Sequence, residues 1–264
     1  MGMFAILSIP HWRLADLNTV LNIAHRGASA YCPENTMAAF KRALELGATA
    51  IETDAQMTSD GHLVLIHDEW LTRTTGLNKL VKDVTLEELR RLDAGSWFDP
   101  AFAGEKVPTL AELLELAKSA GIQVNVELKN GIVLYPRIEE AVIEEIRRHG
   151  IADRVILSSF NHYSLAKCKQ LAPDIRTGIL YMEGLYEPWE YASRIQAEAL
   201  HAFHYAVLPE WVAQAAERGV VYHPFTVNEP AEMRRLLKAG VAGIITDYPD
   251  RLGELLKEGE DSHG

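Results

Sequence analysis

Only two cysteines occur in the 264 residues, Cys32 and Cys168, far apart and outside any C-x-x-C pair. That excludes a disulfide framework and a thiolate metal site. Positive charge is also short: 26 Lys and Arg face 37 Asp and Glu, a formal net charge of −11. Such a surface repels nucleic acid and anionic membranes, although a local basic pocket can still take one phosphate. No run approaches the roughly 20 apolar residues of a membrane span, so no stable membrane anchor is expected. The opening "MGMFAILSIPHWRLADLN" has a short apolar run but no basic start and no A-x-A cleavage signal, which points to a cytoplasmic location. No G-x-G-x-x-G follows a strand, no Walker loop occurs, and Ser158-Ser159 lacks a G-x-S-x-G elbow. Dinucleotide, nucleotide triphosphate and serine-hydrolase chemistries therefore carry no signal.

What is present is an alternation of β-rich and helical patterns. Strand-like runs fall at 22–27, 50–56, 63–68, 123–129, 155–160, 176–181, 199–203, 220–227 and 243–249. Between them, "TMAAFKRALELG" puts Met37, Phe40 and Leu44 on one face and stops at Gly47. "TLAELLELAKSAG" opens on the capping box Thr109-x-x-Glu112 and stops at Gly121, and "EPAEMRRLLKAG" has Pro230 early and Gly240 at its end. Repeated β-then-α order argues for a parallel sheet with helical crossovers. One pair is the exception. Only "SDG" separates the second run from the third, far too little for a crossover, and Asp60-Gly61 suits a two-residue type I′ hairpin. With the third run antiparallel, eight parallel strands remain. The expected fold is α/β, a (β/α)₈ TIM barrel over 22–252 with a small subdomain, 69–108, inserted after the hairpin. Residues 1–21 form an extension without an assigned role, and 253–264 a polar tail whose end, "KEGEDSHG" (257–264), is expected to fray.

In such a barrel the strand C-termini build the active site. Glu52 and Asp54 share one side of their strand, and Glu127 and Lys129 repeat the spacing. Counting back from a two-residue turn sets His67 opposite Asp54, and His25-Arg26 closes the first strand alongside. Taken singly, a strand-end carboxylate is a salt-bridged surface group, a histidine is solvated, and Arg26 or Lys129 is an ion-pair partner. Together, three buried carboxylates raise one another's pKa unless a cation joins them, and oxygen ligands without thiolates suit one divalent cation, Mg²⁺ or Ca²⁺. Such a site fits phosphoryl chemistry: cations stabilise charge on the phosphoryl oxygens, and two histidines can pass protons to and from the oxygens of an ester.

The ordered motifs "HRG" (25–27), "PENT" (33–36), "E-T-D" (52–54), "HD" (67–68) and "E-L-K" (127–129) resemble the glycerophosphodiester phosphodiesterase family. The resemblance continues through "TRTTG", "LDAGSWF", "VPTLAELL", "LSSF", "TVN" and "GIITDYPD", covering about 22–252. It implies a (β/α)₈ barrel with an insertion after the hairpin. It implies His25 and His67 as the acid–base pair, Glu52, Asp54 and Glu127 as metal ligands, and Arg26 and Lys129 as phosphate contacts. It further implies metal-dependent hydrolysis of a small-molecule glycerophosphodiester, such as glycerophosphocholine or glycerophosphoethanolamine, to glycerol 3-phosphate and an alcohol. In the family the substrate's own glycerol hydroxyl attacks first, and water opens the cyclic product. Phe225 stands where family members often carry tryptophan, keeping an aromatic wall against substrate. Asn35 or Thr36 is the expected cap of the first helix. His201, His204 and His223 are candidates for the pocket rim, with core packing as their plainer role. Two rival functions stay open: cleavage of a lysophospholipid or other phosphodiester, which an exposed apolar rim at the barrel mouth would favour, and a non-catalytic glycerophosphodiester-binding barrel.

Overall fold

The computed structural model describes residues 20–261; the 1–19 part of the N-terminal extension and residues 262–264 lie outside them. The strands are β1 (Leu21–His25), β2 (Ala50–Met57), β3 (Leu63–Leu65), β4 (Gln123–Leu128), β5 (Val155–Ser159), β6 (Arg176–Tyr181), β7 (Ala199–Ala202), β8 (Val221–Tyr222) and β9 (Gly243–Thr246). Eight of them run parallel in the order β8-β7-β6-β5-β4-β2-β1-β9, and β3 pairs antiparallel with β2. The ends meet where Ala242 N–H donates to Tyr222 O and Ile245 N–H to Pro224 O, so the sheet is a nearly closed barrel. The α-helices are α1 (Met37–Glu45), α2 (Thr72–Thr75), α3 (Leu86–Arg91), α4 (Leu110–Ala120), α5 (Ile138–His149), α6 (His162–Leu171), α7 (Pro188–Arg194), α8 (Pro209–Glu217), α9 (Pro230–Ala239) and α10 (Pro249–Asp261). None among the described residues is long and apolar enough to cross a membrane.

Local chemistry sets the helix ends as the sequence suggests. Thr36 Oγ1 accepts from Ala39 N–H at the start of α1, and both capping boxes, Thr85 with Glu88 and Thr109 with Glu112, form reciprocally. Phe40 of α1 is fully buried between helix and sheet, worth roughly 1.5–3 kcal/mol of apolar burial. The helix–sheet core splits into two clusters, one along β1–β5 around Phe40, Leu113 and Ile138, the other along β6–β9 around Leu200, Tyr222 and Leu236.

Two expectations are corrected. Met57 pairs with Leu63, Gln56 with Val64 and Ala55 with Leu65, one register step away from the two-residue turn. Thr58 N–H donates to His62 O, closing a three-residue loop in which Gly61 alone takes a positive φ of 84° and the Thr58 hydroxyl donates to Asp60. A type I′ turn needs positive φ at both central residues, and Asp60 does not adopt it. Ile66, not His67, therefore faces Asp54, donating its N–H to Asp54 O. The polar tail is corrected as well: α10 runs on through Asp261, and Leu255 is buried in the second cluster. The inserted segment makes its own small core, Leu71, Val81, Val84, Leu89, Ala94 and Val107, against Val64 and Ile66.

Candidate active site

Alternation along β2 turns Glu52, Asp54 and Gln56 to the barrel interior, and along β4 it turns Asn125 and Glu127 the same way. Glu52, Asp54 and Glu127 each place an oxygen within 4.8 Å of the others while only 4%, 1% and 9% exposed. Three carboxylates that deep repel one another, and two cations answer them. Arg26 Nε lies 3.3 Å from Asp54, and Lys129 Nζ lies 3.1 Å from Glu127 and 3.7 Å from Asp54. The balance is uneven. Burial alone would push Asp54 up, but Arg26, Lys129, His67 and the Asn35 amide hold it at about 2. Burial first, then Asp54, pushes Glu127 up to about 7, and burial with Asp54 and Glu127 drives Glu52 well above the usual carboxylate range. Asp54 Oδ1 accepts no hydrogen bond. Hard oxygen donors, surplus negative charge and an unclaimed buried acceptor together fit a divalent cation.

The turn after β1 carries the next pieces. Arg26 sits at φ 55° and Gly27 at φ 85°, reversing the chain under α1. A Cβ on Gly27 would meet the Ala39 backbone carbonyl at 2.7–2.8 Å, so the helix can approach only glycine here. The left-handed Arg26 costs roughly 1–3 kcal/mol and persists because its surroundings fix it. Arg26 N–H donates to Glu52, its carbonyl accepts from Asn35 N–H, and its guanidinium donates to Glu34. Asn35, itself at φ 54°, donates to Asp54 and accepts from Thr53 Oγ1. Thus Thr36 is the cap, and Asn35 supports the acidic cluster.

Each of the two histidines is backed by an aspartate. His25 Nδ1–H donates to Asp247 (2.7 Å), which also accepts from Ser29 Oγ and Asn228 Nδ2. Those bonds overcome burial and keep the Asp247 carboxyl low, at about 2. His67 Nδ1–H donates to Asp68 (2.8 Å), which Arg73 grips from outside. His67 reaches the site despite the shifted register because Gln56 Nε2 donates to the carbonyls of Ile66, His67 and Asp68, holding that stretch against β2. Burial, with Arg26 and Lys129 nearby, lowers the His67 pKa, although Asp54 opposes them.

His25, Arg26, Glu52, His67, Asn125 and Glu127 form one wall of a cavity of about 200 Å³; Phe160, Leu180, Phe225, Thr226 and Ile245 form the other. Asp54 and Lys129 lie just behind the first wall. A larger cavity, about 430 Å³, is lined by Gly61, Thr109, Glu144 and Arg148 and includes none of these groups. Phe225 stacks edge-on to Phe160 and Phe203, and Phe203 to Tyr205. Beyond β5, β6 and β7, Tyr163 near the start of α6, Tyr186 and Tyr205 are exposed to solvent, and Ile132 and Leu134 are exposed in the loop after β4.

His201 and His223 do not line the cavity. They are buried in the barrel, Nδ1 of one 3.3 Å from Nε2 of the other, and Gly178 leaves room for the His201 ring. Burial pushes His201 down to about 3 and His223 well below the usual range, so both are neutral core groups. His204 pairs with Glu232 outside the cavity. Asp247, Gln56 and Asn228 went unnoticed in the sequence. Gln56 continues the i, i+2 row of Glu52 and Asp54, and Asp247 follows a strand end as Lys129 does, so the same rules reach both. Asn228, in a loop, carries no such pattern.

A sequence profile of the glycerophosphoryl diester phosphodiesterase family matches residues 25–251. A glycerophosphodiester phosphodiesterase of Caldanaerobacter subterraneus is 53% identical over 239 residues, 90% of this chain and 98% of that protein. One from Bacillus subtilis is 37% identical, covering 92% of this chain and 89% of its own. Among solved structures, an Oleispira antarctica phosphodiesterase in complex with the product sn-glycerol-3-phosphate superposes with a TM-score of 0.84 at 30% identity, covering 93% of this chain and 99% of that one.

Proposed function

The chain belongs to the glycerophosphoryl diester phosphodiesterase family and is a phosphodiester hydrolase of that family, and we propose that it cleaves small glycerophosphodiesters to glycerol 3-phosphate and an alcohol in a metal-dependent reaction. One observation carries this reading: the acidic cluster of Glu52, Asp54 and Glu127 stands at the same cavity as His25 and His67. The three acids would hold one Mg²⁺ or Ca²⁺, which supplies neutralising charge beside the phosphoryl oxygens. Arg26 and Lys129 add fixed positive charge next to it and orient the phosphate. His25 and His67 form the acid–base pair: one takes the proton of the attacking hydroxyl, the other returns a proton to the leaving alkoxide. Asp247 and Asp68 fix each ring with Nδ1 protonated, leaving Nε2 for proton transfer. Phe225 and Phe160 exclude water on the side where the alcohol leaves.

The test is release of glycerol 3-phosphate from glycerophosphocholine and glycerophosphoethanolamine, with bis(4-nitrophenyl) phosphate in parallel, under EDTA, Mg²⁺ or Ca²⁺. Release that needs the ion and vanishes in His25→Ala supports the reading. No release from either glycerol diester under any ion, with folded protein, rejects it. A second reading draws on the exposed apolar rim: diesters whose glycerol or alcohol carries an alkyl chain, lysophospholipids among them, would lay that chain along Phe225, Phe203 and Tyr205. Faster turnover of a lysophospholipid than of its deacylated counterpart would favour it.

A further inference from the structure

Resting on the roles given above to Arg26 and His67, we propose that Arg73, in the inserted segment and outside the cavity, is a positioning residue that sets both of them through two carboxylates. Its guanidinium is double-forked. Nε and one terminal nitrogen donate to Asp68 at 2.6 and 3.1 Å; the two terminal nitrogens donate to Glu34 at 3.0 and 2.7 Å. Each carboxylate passes the constraint inward, Asp68 to His67 Nδ1 (2.8 Å) and Glu34 to the Arg26 guanidinium (2.9 Å). His67 follows β3 and Arg26 follows β1, so one side chain ties together groups delivered by two separate strand ends. A fork that binds two carboxylates bidentately fixes their planes as well as their positions, which a lysine ammonium cannot do. Arg73 is pinned in turn: its guanidinium carbon lies 5.4 Å from the centroid of the Trp97 ring, and Trp97 Nε1–H donates to Ala94 O. The inserted segment thereby has a part in catalysis without touching substrate.

The experiment measures kcat, KM and divalent-ion affinity for Arg73→Ala, Arg73→Lys and the double variant Glu34→Gln/Asp68→Asn, alone and combined with Arg73→Ala. Arg26→Met and His67→Ala serve as references. A loss of roughly 10–100-fold in kcat is expected for Arg73→Ala, the scale of removing an outer support of a reacting group, with ion affinity unchanged. Arg73→Lys should recover little, and added guanidinium ion should restore a substantial part of the Arg73→Ala loss. In the Glu34→Gln/Asp68→Asn background, Arg73→Ala should cost less than about twofold more, because its two relays are already cut. Full kcat in Arg73→Ala, a loss that guanidinium does not relieve, or a loss that stays undiminished in that background would each overturn the proposal. If Arg26→Met and His67→Ala keep wild-type kcat, the functional assignment itself fails, whatever Arg73 does.

Discussion

Across the cavity, the side delivered by β1, β2, β4 and the stretch after β3 is dense with ion pairs and hydrogen bonds, whereas the opposite side, Phe160, Leu180, Phe225, Thr226 and Ile245, is mostly apolar. On the first wall Arg26 is fixed by Glu52, Glu34 and Asp54, and each histidine has its aspartate. On the second, Phe160 and Phe225 meet edge to face with centroids 6.1 Å apart, and the rim beyond is open, with Tyr186 90% and Tyr205 76% exposed. Proton transfer and charge stabilisation depend on direction and fail when a group shifts by an ångström. Apolar contact is non-directional and roughly proportional to area. On the proposed function, one wall would do chemistry on the phosphate and the other would accept an alcohol that can vary.

The sharpest way to break this division is to truncate one group from each wall. His25→Ala or His67→Ala should lower kcat by roughly 10²–10⁴ with little change in KM, since general acid–base catalysis is worth that much. Phe225→Ala should change kcat less than about tenfold and act mainly on KM. If steady-state kinetics give the phenylalanine a loss as large as the histidines, the two walls do not divide the work.

The next effect concerns the ion. In the metal-free protein Glu127 titrates near 7 and Glu52 well above the usual carboxylate range, both chiefly through burial. Between pH about 4.5 and 7 the folded protein therefore keeps protons that the unfolded chain has lost, and its stability falls as pH rises through that window. A cation bound by the three acids, as proposed, would replace those protons. The gain in thermal stability on adding Mg²⁺ or Ca²⁺ should grow from pH 5 to pH 8, reaching about 2.7 kcal/mol at an ion concentration 100 times Kd. Scanning calorimetry at three pH values checks it; a gain independent of pH, or one that survives Glu52→Gln/Glu127→Gln, would place the ion elsewhere.

How well each wall could be foreseen follows from the same physics. The charged wall is written in short contiguous runs at strand ends, because alternation along a strand and a parallel topology deliver His25, Glu52, Asp54 and Glu127 to one place. The hairpin register was not legible: the Thr58 hydroxyl and Gly61 select a three-residue loop, and Asp60-Gly61 alone does not announce it. His67 still arrives, because Gln56 binds three successive carbonyls there. The apolar rim was invisible, since Tyr163 near the start of α6, Tyr186 and Tyr205 follow three different strands with no shared period. His201 and His223, polar letters near strand ends, turned out to fill the barrel.

A smaller effect tests whether the supports of the charged wall also stabilise the fold. The Asp247 carboxyl titrates near 2, held there against burial by His25, Asn228 and Ser29, where an ordinary aspartate has 3.8. A depressed acid contributes stability above its unfolded pKa and loses it as pH falls toward the folded value. Asp247→Asn should therefore cost about 2 kcal/mol at pH 7 and progressively less from pH 4 down to 2. Urea unfolding at pH 7 and pH 3 measures it, and an equal cost at both would show that the charge is not what Asp247 contributes.

The smallest effect lies on the rim. Tyr186 loses almost nothing on folding, so Tyr186→Ser should leave stability within about 0.5 kcal/mol. With glycerophosphoethanolamine, whose alcohol is too short to reach so far, KM should also stay within about twofold. A diester with an alkyl alcohol is different, because each methylene that leaves water is worth up to about 0.8 kcal/mol, close to fourfold in affinity. Along a series of increasing chain length, KM of the wild type should fall stepwise until the chain outruns the rim, and Tyr186→Ser should flatten the later steps while sparing the early ones. A KM that ignores chain length in the wild type would mean that the open aromatic side meets no part of the substrate, and the lysophospholipid reading would go with it.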